Sequence, residues 1–567
     1  MRGAHLVFLA LSFGDAFIVP SISRRKGPVI RHEKSRSPLG SKASTKLAER
    51  KNDRSILLDV RDKVGTTQES QAMTPEVISN SDVDTSFPKD FIPTFVLCWF
   101  VALLSSLDRV AMSVAILPLS AEYHLTDTIK GAISSVFSIG YGLAIIPCGL
   151  LAASASPRTL MGIGVIMWSL ATFGTPIVAS LIEVTQSNVD TLEPEVIAAT
   201  TAFVVANTAP LLLTRAVMGG AESVVLPATQ RLLANWVPAS RKSISVATLF
   251  SGFQLGTVSA YLVSPWVIDN LGGWRGLFYV YGAIGALWLV PWAIYSKDAP
   301  EKQLLEVDEA STSNKPFLFQ SKPEDKSGLT VDTQGLLKGE KSASAWEEAV
   351  GVIKDAPWGP FTKSKAVWAM IVAHAANNWG LYNMLAWTPT FYAEQYQLNV
   401  KESAFLSVFP SIAGAICGLS AGFIADKIIS SFEADDIDNV KTNVRKAFQA
   451  MALLGPAACL ITLSSHIPED PLTAQALLMG TVGLQAFNAA GYGSAPQEKA
   501  GERWSGLVYS VTTLPGVVFG SLGVYTTGQI LDLTGQDWSQ VFSLNAGIDI
   551  IGALAFITLY NSKKEFD

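Results

Sequence analysis

Four charged side chains stand inside stretches that are otherwise strongly apolar: Asp108, Arg109, Arg215 and Glu222. A charge at mid-bilayer costs ~3 kcal/mol on insertion scales, so in a membrane each must be paired or put to use. Neighbours on a helix differ by ~100° about its axis, so Asp108 and Arg109 cannot share a face; one can enter a cavity while the other braces an adjacent helix. Arg215 and Glu222 are two helical turns apart and share a stripe. Guanidinium groups match phosphate or carboxylate oxygens bidentately and do not deprotonate, which suits them to hold an oxyanion away from water. A desolvated carboxylate beside them has a charge state that depends on whether an anion occupies the Arg, a way to couple cation entry to anion entry. Simple neutralisation, Asp108 by Arg109 or Arg215 by Glu222, is the alternative that the spacing leaves open.

The elements that must position these groups are membrane spans. Of 567 residues 49% are hydrophobic and only 16% charged, too little polar surface for a soluble chain with 14 Trp and 27 Phe. A net charge of -6 offers no footprint for nucleic acid. Cys98, Cys148, Cys417 and Cys459 all lie in apolar stretches and read as small buried hydrophobes, with no disulfide or metal spacing. Ten stretches free of Asp, Glu, Lys and Arg, at 131–157, 159–182, 196–214, 243–268, 276–296, 366–393, 403–425, 447–468, 471–497 and 504–531, are each close to or above the ~20 residues a crossing needs. Two more carry charges: 91–118, interrupted by Asp108 and Arg109, and 538–560, interrupted by Asp549. The expectation is an all-α membrane protein of twelve spans, with six-helix halves at 91–296 and 366–561, a hydrophilic linker at 297–365 and a tail at 562–567. Ten Lys or Arg in the loops after spans 2, 4, 8 and 10, against three in the opposite loops, place both termini and the linker on the cytosol-equivalent side.

The amino terminus carries a leader. Arg2, an apolar run from Leu6 to Phe13 and then Gly14-Asp15-Ala16-Phe17 have the order of a signal peptide, assigned to residues 1–17. Residues 18–50 hold nine Lys or Arg against two acids, with seven Ser or Thr, the composition of a transit peptide. The pair resembles the bipartite plastid presequences of algae with complex plastids, which implies a plastid envelope membrane. A plain signal peptide before a basic arm, and so another endomembrane or the plasma membrane, is the alternative. Residues 51–90 are polar and of mixed charge, and disorder is expected there.

The halves repeat one another: Gly149-Leu150-Leu151-Ala152-Ala153 ends span 2 and Gly422-Phe423-Ile424-Ala425-Asp426 ends span 8. Six plus six spans with this loop pattern resemble the major facilitator superfamily, although Ala153 stands where its Asp is expected. Leu107 to Pro118, Phe137-Ser138-Ile139-Gly140-Tyr141-Gly142, Arg215 to Glu222, Asn378-Trp379-Gly380, Trp387-Thr388-Pro389 and Trp504-Ser505-Gly506 are similar to the sodium/phosphate cotransporter-like anion:cation symporters, above all to plant phosphate transporters of type 4. The resemblance runs from about residue 91 to about 560. It implies a transporter rather than an enzyme, with a small anionic substrate, the bilayer as partner, Na+ or H+ as coupling cation, no other cofactor and a monomeric chain. By the same resemblance Arg109, Arg215 and Glu222 face a central cavity.

Span 7 carries Asn377 and Tyr382 but no Lys or Arg, and glutamate-transporting relatives have an Arg at the position aligned with Asn377; a compact anion is favoured. Tyr141 and Asn488 are further candidates for substrate contact, and Asp108 joins Glu222 as a candidate for cation coupling. The function expected is secondary active transport of inorganic phosphate or a similar small anion by alternating access; carriage of ascorbate or a carboxylate, and anion sensing without transport, are the alternatives. Gly418-Leu419-Ser420-Ala421-Gly422 fits a nucleophile elbow but lies inside span 8, where small residues every fourth position suit helix packing; Gly252 and Gly256 do the same on span 5. Those two helices are expected to meet across the halves.

Overall fold

A computed structural model describes residues 89–186, 197–237, 242–300, 354–432, 437–500 and 504–566. The leader, the arm as far as residue 88 and the linker from 301 to 353 lie outside them.

The first half comprises α1 (Ile92–Tyr123), α2 (Asp127–Ser154), α3 (Pro157–Gln186), α4 (Ile197–Glu222), a short α5 (Val225–Trp236), α6 (Lys242–Asn270) and α7 (Gly273–Tyr295). After a turn of helix α8 (Trp358–Lys363), the second half follows with α9 (Lys365–Tyr396), α10 (Val400–Ser430), α11 (Ile437–Ser465), α12 (Pro471–Gln485), a short α13 (Ala495–Lys499), α14 (Ser505–Thr534) and α15 (Trp538–Leu559). Several helices start or stop at residues suited to their end groups. Thr126 caps α2, Asn399 and Glu402 form a capping box on α10, and Asp470 caps α12. Gly535, at φ 67°, ends α14.

Twelve of these helices fall on the twelve expected spans. Among the described residues nine helices are long and apolar enough to cross a membrane; α6, α9 and α12 fall short. In α9 the polar residues His374, Asn377, Asn378 and Asn383 dilute hydropathy, and all four are buried inside the bundle, away from lipid. The outer surface is apolar, as at Leu143, Leu287, Leu419 and Phe423.

Span 10 departs from expectation, because it is not one helix. α12 ends at Gln485, and the chain continues through 3-10 turns at Ala486–Ala489 and Tyr492–Ser494 before α13. Gly491 and Gly493 are costly inside a helix, and Gln449 of α11 takes the Tyr492 N–H at 2.9 Å, replacing a helical bond.

Packing inside the halves is parallel. In the first, α1 packs on α6, α2 on α4, and α3 on α4 and α7; in the second, α9 packs on α14, α10 on α12, and α11 on α12 and α15. Each pair is the counterpart of the other one half later, as an internal repeat requires. Across the halves α2 meets α14, α6 meets α10 and α1 meets α9. The expected role of the glycine stripes in that contact is corrected: a Cβ on Gly252 or Gly256 would strike the Trp99 or Leu103 carbonyl of α1, and one on Gly414 or Gly418 faces Val482 or Ala486. These glycines therefore tighten each half internally.

Among the described residues, the charged ties between the halves gather at the end away from the described terminal segments. Asp532 of α14 accepts the Asp127 and Thr128 N–H groups, both at 2.8 Å, at the first turn of α2. One turn further in, the buried Lys130 ammonium reaches Asp127 at 2.6 Å and Glu394 of α9 at 2.9 Å.

Candidate functional site

The site begins at the crossing of α2 and α4. A Cβ on Gly140 would lie 2.1 Å from the Ala216 carbonyl and one on Gly219 2.0 Å from the Phe137 carbonyl, so only glycine permits this approach of backbones. The close crossing brings the Phe137 ring within reach of two guanidiniums, with Arg109 Cζ 5.1 Å and Arg215 Cζ 5.2 Å from its centroid. The Tyr141 ring, one turn further along α2, stacks under Arg109 at 5.2 Å. Aromatic faces attract cations without spending their hydrogen-bond donors, so both guanidiniums keep N–H groups for another acceptor.

Those donors are partly unused. Arg215 is buried; one of its terminal nitrogens contacts the Met218 sulfur at 3.0 Å, and its Nε has no partner. Arg109 lies 3.9 Å from Glu222 Oε2 and its Nε is likewise unpartnered; its side chain is 35% exposed where that of Glu222 is 0%. Ser105 donates to Glu222 Oε2 at 2.8 Å, leaving Oε1 without a partner. Asp108 is buried, its Oδ1 unpartnered, with Glu222, Arg215 and the Trp168 indole as its electrostatic neighbours. As the helical spacing requires, Arg109 faces the space between the halves and Asp108 turns into the first-half core. The two arginines and two carboxylates sum to zero formal charge.

Arg109, Arg215, Ser113, Phe137 and Ser138 of the first half and Tyr382, Leu385 and Val524 of the second line a cavity of about 60 Å³. That is several times the ~10–15 Å³ that admits a water. Ser134, which lines it, stands one turn of α2 from Lys130 of the Lys130–Glu394 tie. The structure thus brings Arg109, Arg215, Tyr141 and Tyr382 together, with Glu222 and Asp108 behind the arginines. It does not bring Asn377 and Asn488 to that cavity. Asn488 donates to Asn377 Oδ1 at 2.7 Å, and Asn377 points its Nδ2 at the Tyr492 hydroxyl at 3.5 Å, inside the second half.

Sequence reasoning missed Lys130, Glu394 and Asp532, which it took as loop and helix-end charges. It also missed Glu498. This carboxylate accepts two bonds from the Arg445 fork at 3.0 and 2.8 Å and one from the Tyr560 hydroxyl at 3.1 Å, bracketing the broken span 10 to its neighbours.

The model of the Major Facilitator Superfamily matches residues 98–524. The chain is 34% identical over 482 residues to the sodium-dependent phosphate transport protein 1, chloroplastic, of Arabidopsis thaliana, covering 85% of this chain and 81% of that one. It is 32% identical to the ascorbate transporter, chloroplastic, of the same plant, covering 85% and 76%. Among solved structures, a bacterial homologue of the human lysosomal transporter Spinster superposes with a TM-score of 0.58 at 15% identity, covering 84% of this chain and 98% of that one. A D-xylose-proton symporter superposes with a TM-score of 0.56 at 13% identity, covering 83% and 98%; both likenesses concern the fold alone. The chain belongs to the Major Facilitator Superfamily, among the anion transporters of the plant phosphate transporter type 4 kind, and is a multi-pass membrane transporter, not an enzyme.

Proposed function

We propose that this protein is a secondary active transporter of inorganic phosphate or a similarly small anion, driven by Na+ or H+ through alternating access. The observation that carries this reading is the pair of guanidiniums held over the Phe137 ring, each with an unpartnered Nε donor, at a small cavity between the halves. Planar forks of this kind bind tetrahedral oxyanions, and a cavity of about 60 Å³ favours a compact one.

Charge counting supports coupling. With Asp108, Arg109, Arg215 and Glu222 summing to zero, an entering anion leaves net negative charge in a low-dielectric site. One cation or proton on Glu222 or Asp108 restores neutrality, so anion and cation enter more readily together than apart. Arg109, the exposed member of its pair with Glu222, receives the anion first and releases Glu222 to the cation. The ties of Asp532 and Lys130 close one end of the cavity in this conformation, and their opening is the step that exposes it to the other side. The relatives named for chloroplasts support a plastid membrane, and the composition of residues 1–50 supports the envelope of an alga with a complex plastid.

Carriage of an organic anion is the second reading, favoured by the similar identity to the ascorbate transporter. Competition uptake separates them: reconstituted protein loaded with labelled phosphate is challenged with phosphate, ascorbate or glutamate under Na+ and H+ gradients imposed separately. Phosphate competing best supports the first reading, and ascorbate or glutamate competing best supports the second. Binding of an anion without counterflow would make the protein a sensor.

A further inference from the structure

The cavity between the halves offers an anion more than positive charge. Arg109 and Arg215, each with an unpartnered Nε, can only donate hydrogen bonds, and the carboxylates Glu222 and Asp108 stand behind them without lining the space. The other polar side chains that line it are hydroxyls: Ser113 of α1, Ser134 and Ser138 one turn apart on α2, and Tyr382 of α9. They are not equivalent. Among the described residues the hydroxyls of Ser134 and Ser138 have no hydrogen-bond partner, so each can turn either to donate to an anion or to accept from one.

Ser113 has no such freedom. It is buried, and its Oγ donates at 2.7 Å to the Val110 carbonyl one turn back, a group that can only accept. The Tyr261 hydroxyl beside it gives its own proton to the Leu385 carbonyl at 3.3 Å. Toward the cavity Ser113 therefore shows lone pairs and no proton. Beside a fully deprotonated oxyanion this sets lone pair against lone pair in a place shielded from water. Beside an oxyanion that keeps a proton it is well placed, because that O–H needs an acceptor once buried and a guanidinium has none to give. Phosphate and arsenate keep a proton at neutral pH; sulfate, of the same tetrahedral shape, keeps none.

On the reading that the two arginines hold a small anion, which this selectivity presupposes, we propose that Ser113 makes the cavity selective for protonated tetrahedral oxyanions, phosphate and arsenate, against sulfate. The arginines supply an attraction common to all three anions. Ser113 supplies the difference, since a site with a fixed acceptor for a substrate O–H rejects the analogue that lacks it.

The experiment is equilibrium binding of labelled phosphate to the purified full chain in lipid nanodiscs, displaced by unlabelled phosphate, arsenate or sulfate. Mildly alkaline buffer makes the three alike in shape and charge, so that sulfate differs only by the missing proton. Arsenate should displace the label as well as phosphate does, and sulfate should need about tenfold more or higher. Ser113→Ala should weaken phosphate and arsenate but not sulfate and so bring the three together; Ser138→Ala, which removes an uncommitted hydroxyl, should weaken all three alike. Sulfate displacing as well as phosphate from wild type overturns the proposal without need of any variant. So does discrimination that survives in Ser113→Ala, and so does an equal loss for all three anions there, which would show Ser113 turning to donate like its neighbours. Failure of phosphate to bind at all strikes the proposed function itself, whereas phosphate binding without discrimination overturns the role of Ser113 alone.

Discussion

Arg109 pairs with Glu222 across two helices at 3.9 Å, while Arg215, on the same stripe of α4 as Glu222, rests on the Met218 sulfur instead. The partner of Glu222 is thus the more exposed of the two arginines that line the cavity, the arrangement coupling needs and the one that intrahelical neutralisation of Arg215 by Glu222 does not provide.

Glu222→Gln keeps the acceptor for Ser105 and removes the titratable charge. Gradient-driven accumulation should fall to the equilibrium level while exchange of internal for external anion persists, since exchange moves no net cation. Loss of both, measured in the same proteoliposomes, would make Glu222 a structural partner of Arg109.

Glu394→Ala leaves Lys130 with Asp127 but removes the tie to α9. Loss of a charged hydrogen bond of ~1.5–3 kcal/mol should open that end of the cavity about tenfold or more often. The check is labelling of a cysteine at Ser134, which lines the cavity, by an impermeant thiol reagent from the side of the short loop after α1. Unchanged labelling would show that the tie is not a gate.

The carboxyl-terminal segment should loosen in acid. Burial raises the Glu565 pKa, but hydrogen bonds from Lys499 and Ser364 outweigh it and hold the carboxyl below the usual carboxylate range. A lowered folded pKa contributes stability that is present above the unfolded value and lost as pH falls through the folded one, so unprotected amides at 560–566 should appear in hydrogen exchange only below about pH 4. Glu565→Gln should show the same exchange at neutral pH.

Much of the architecture was legible because lipid imposes it. A run without charges wide enough for the bilayer becomes a helix; ten such runs were placed this way, and two more spans in spite of the charges inside them. Arg109 and Arg215 were legible for the same reason, being charges where none is free of cost. What was not legible depends on partners distant in sequence. Gln449 breaks span 10 from another helix, Asn377 is claimed by Asn488 instead of the cavity, and Lys130 finds Glu394 more than 260 residues away. Gly252 and Gly256 were recognised as packing residues, yet which helix they pack on follows from three-dimensional arrangement that spacing does not encode.

The central claim is that the two guanidiniums bind and move a small oxyanion. It is tested most directly by uptake of labelled phosphate into proteoliposomes by wild type and Arg109→Lys under imposed Na+ or H+ gradients. The wild type should accumulate phosphate with one of these gradients, and Arg109→Lys, which keeps the charge but loses the planar fork, should retain normal folding with uptake efficiency about 10–100-fold lower. Phosphate uptake by Arg109→Lys at wild-type affinity and rate, or no phosphate movement by wild type under any gradient, would contradict the account.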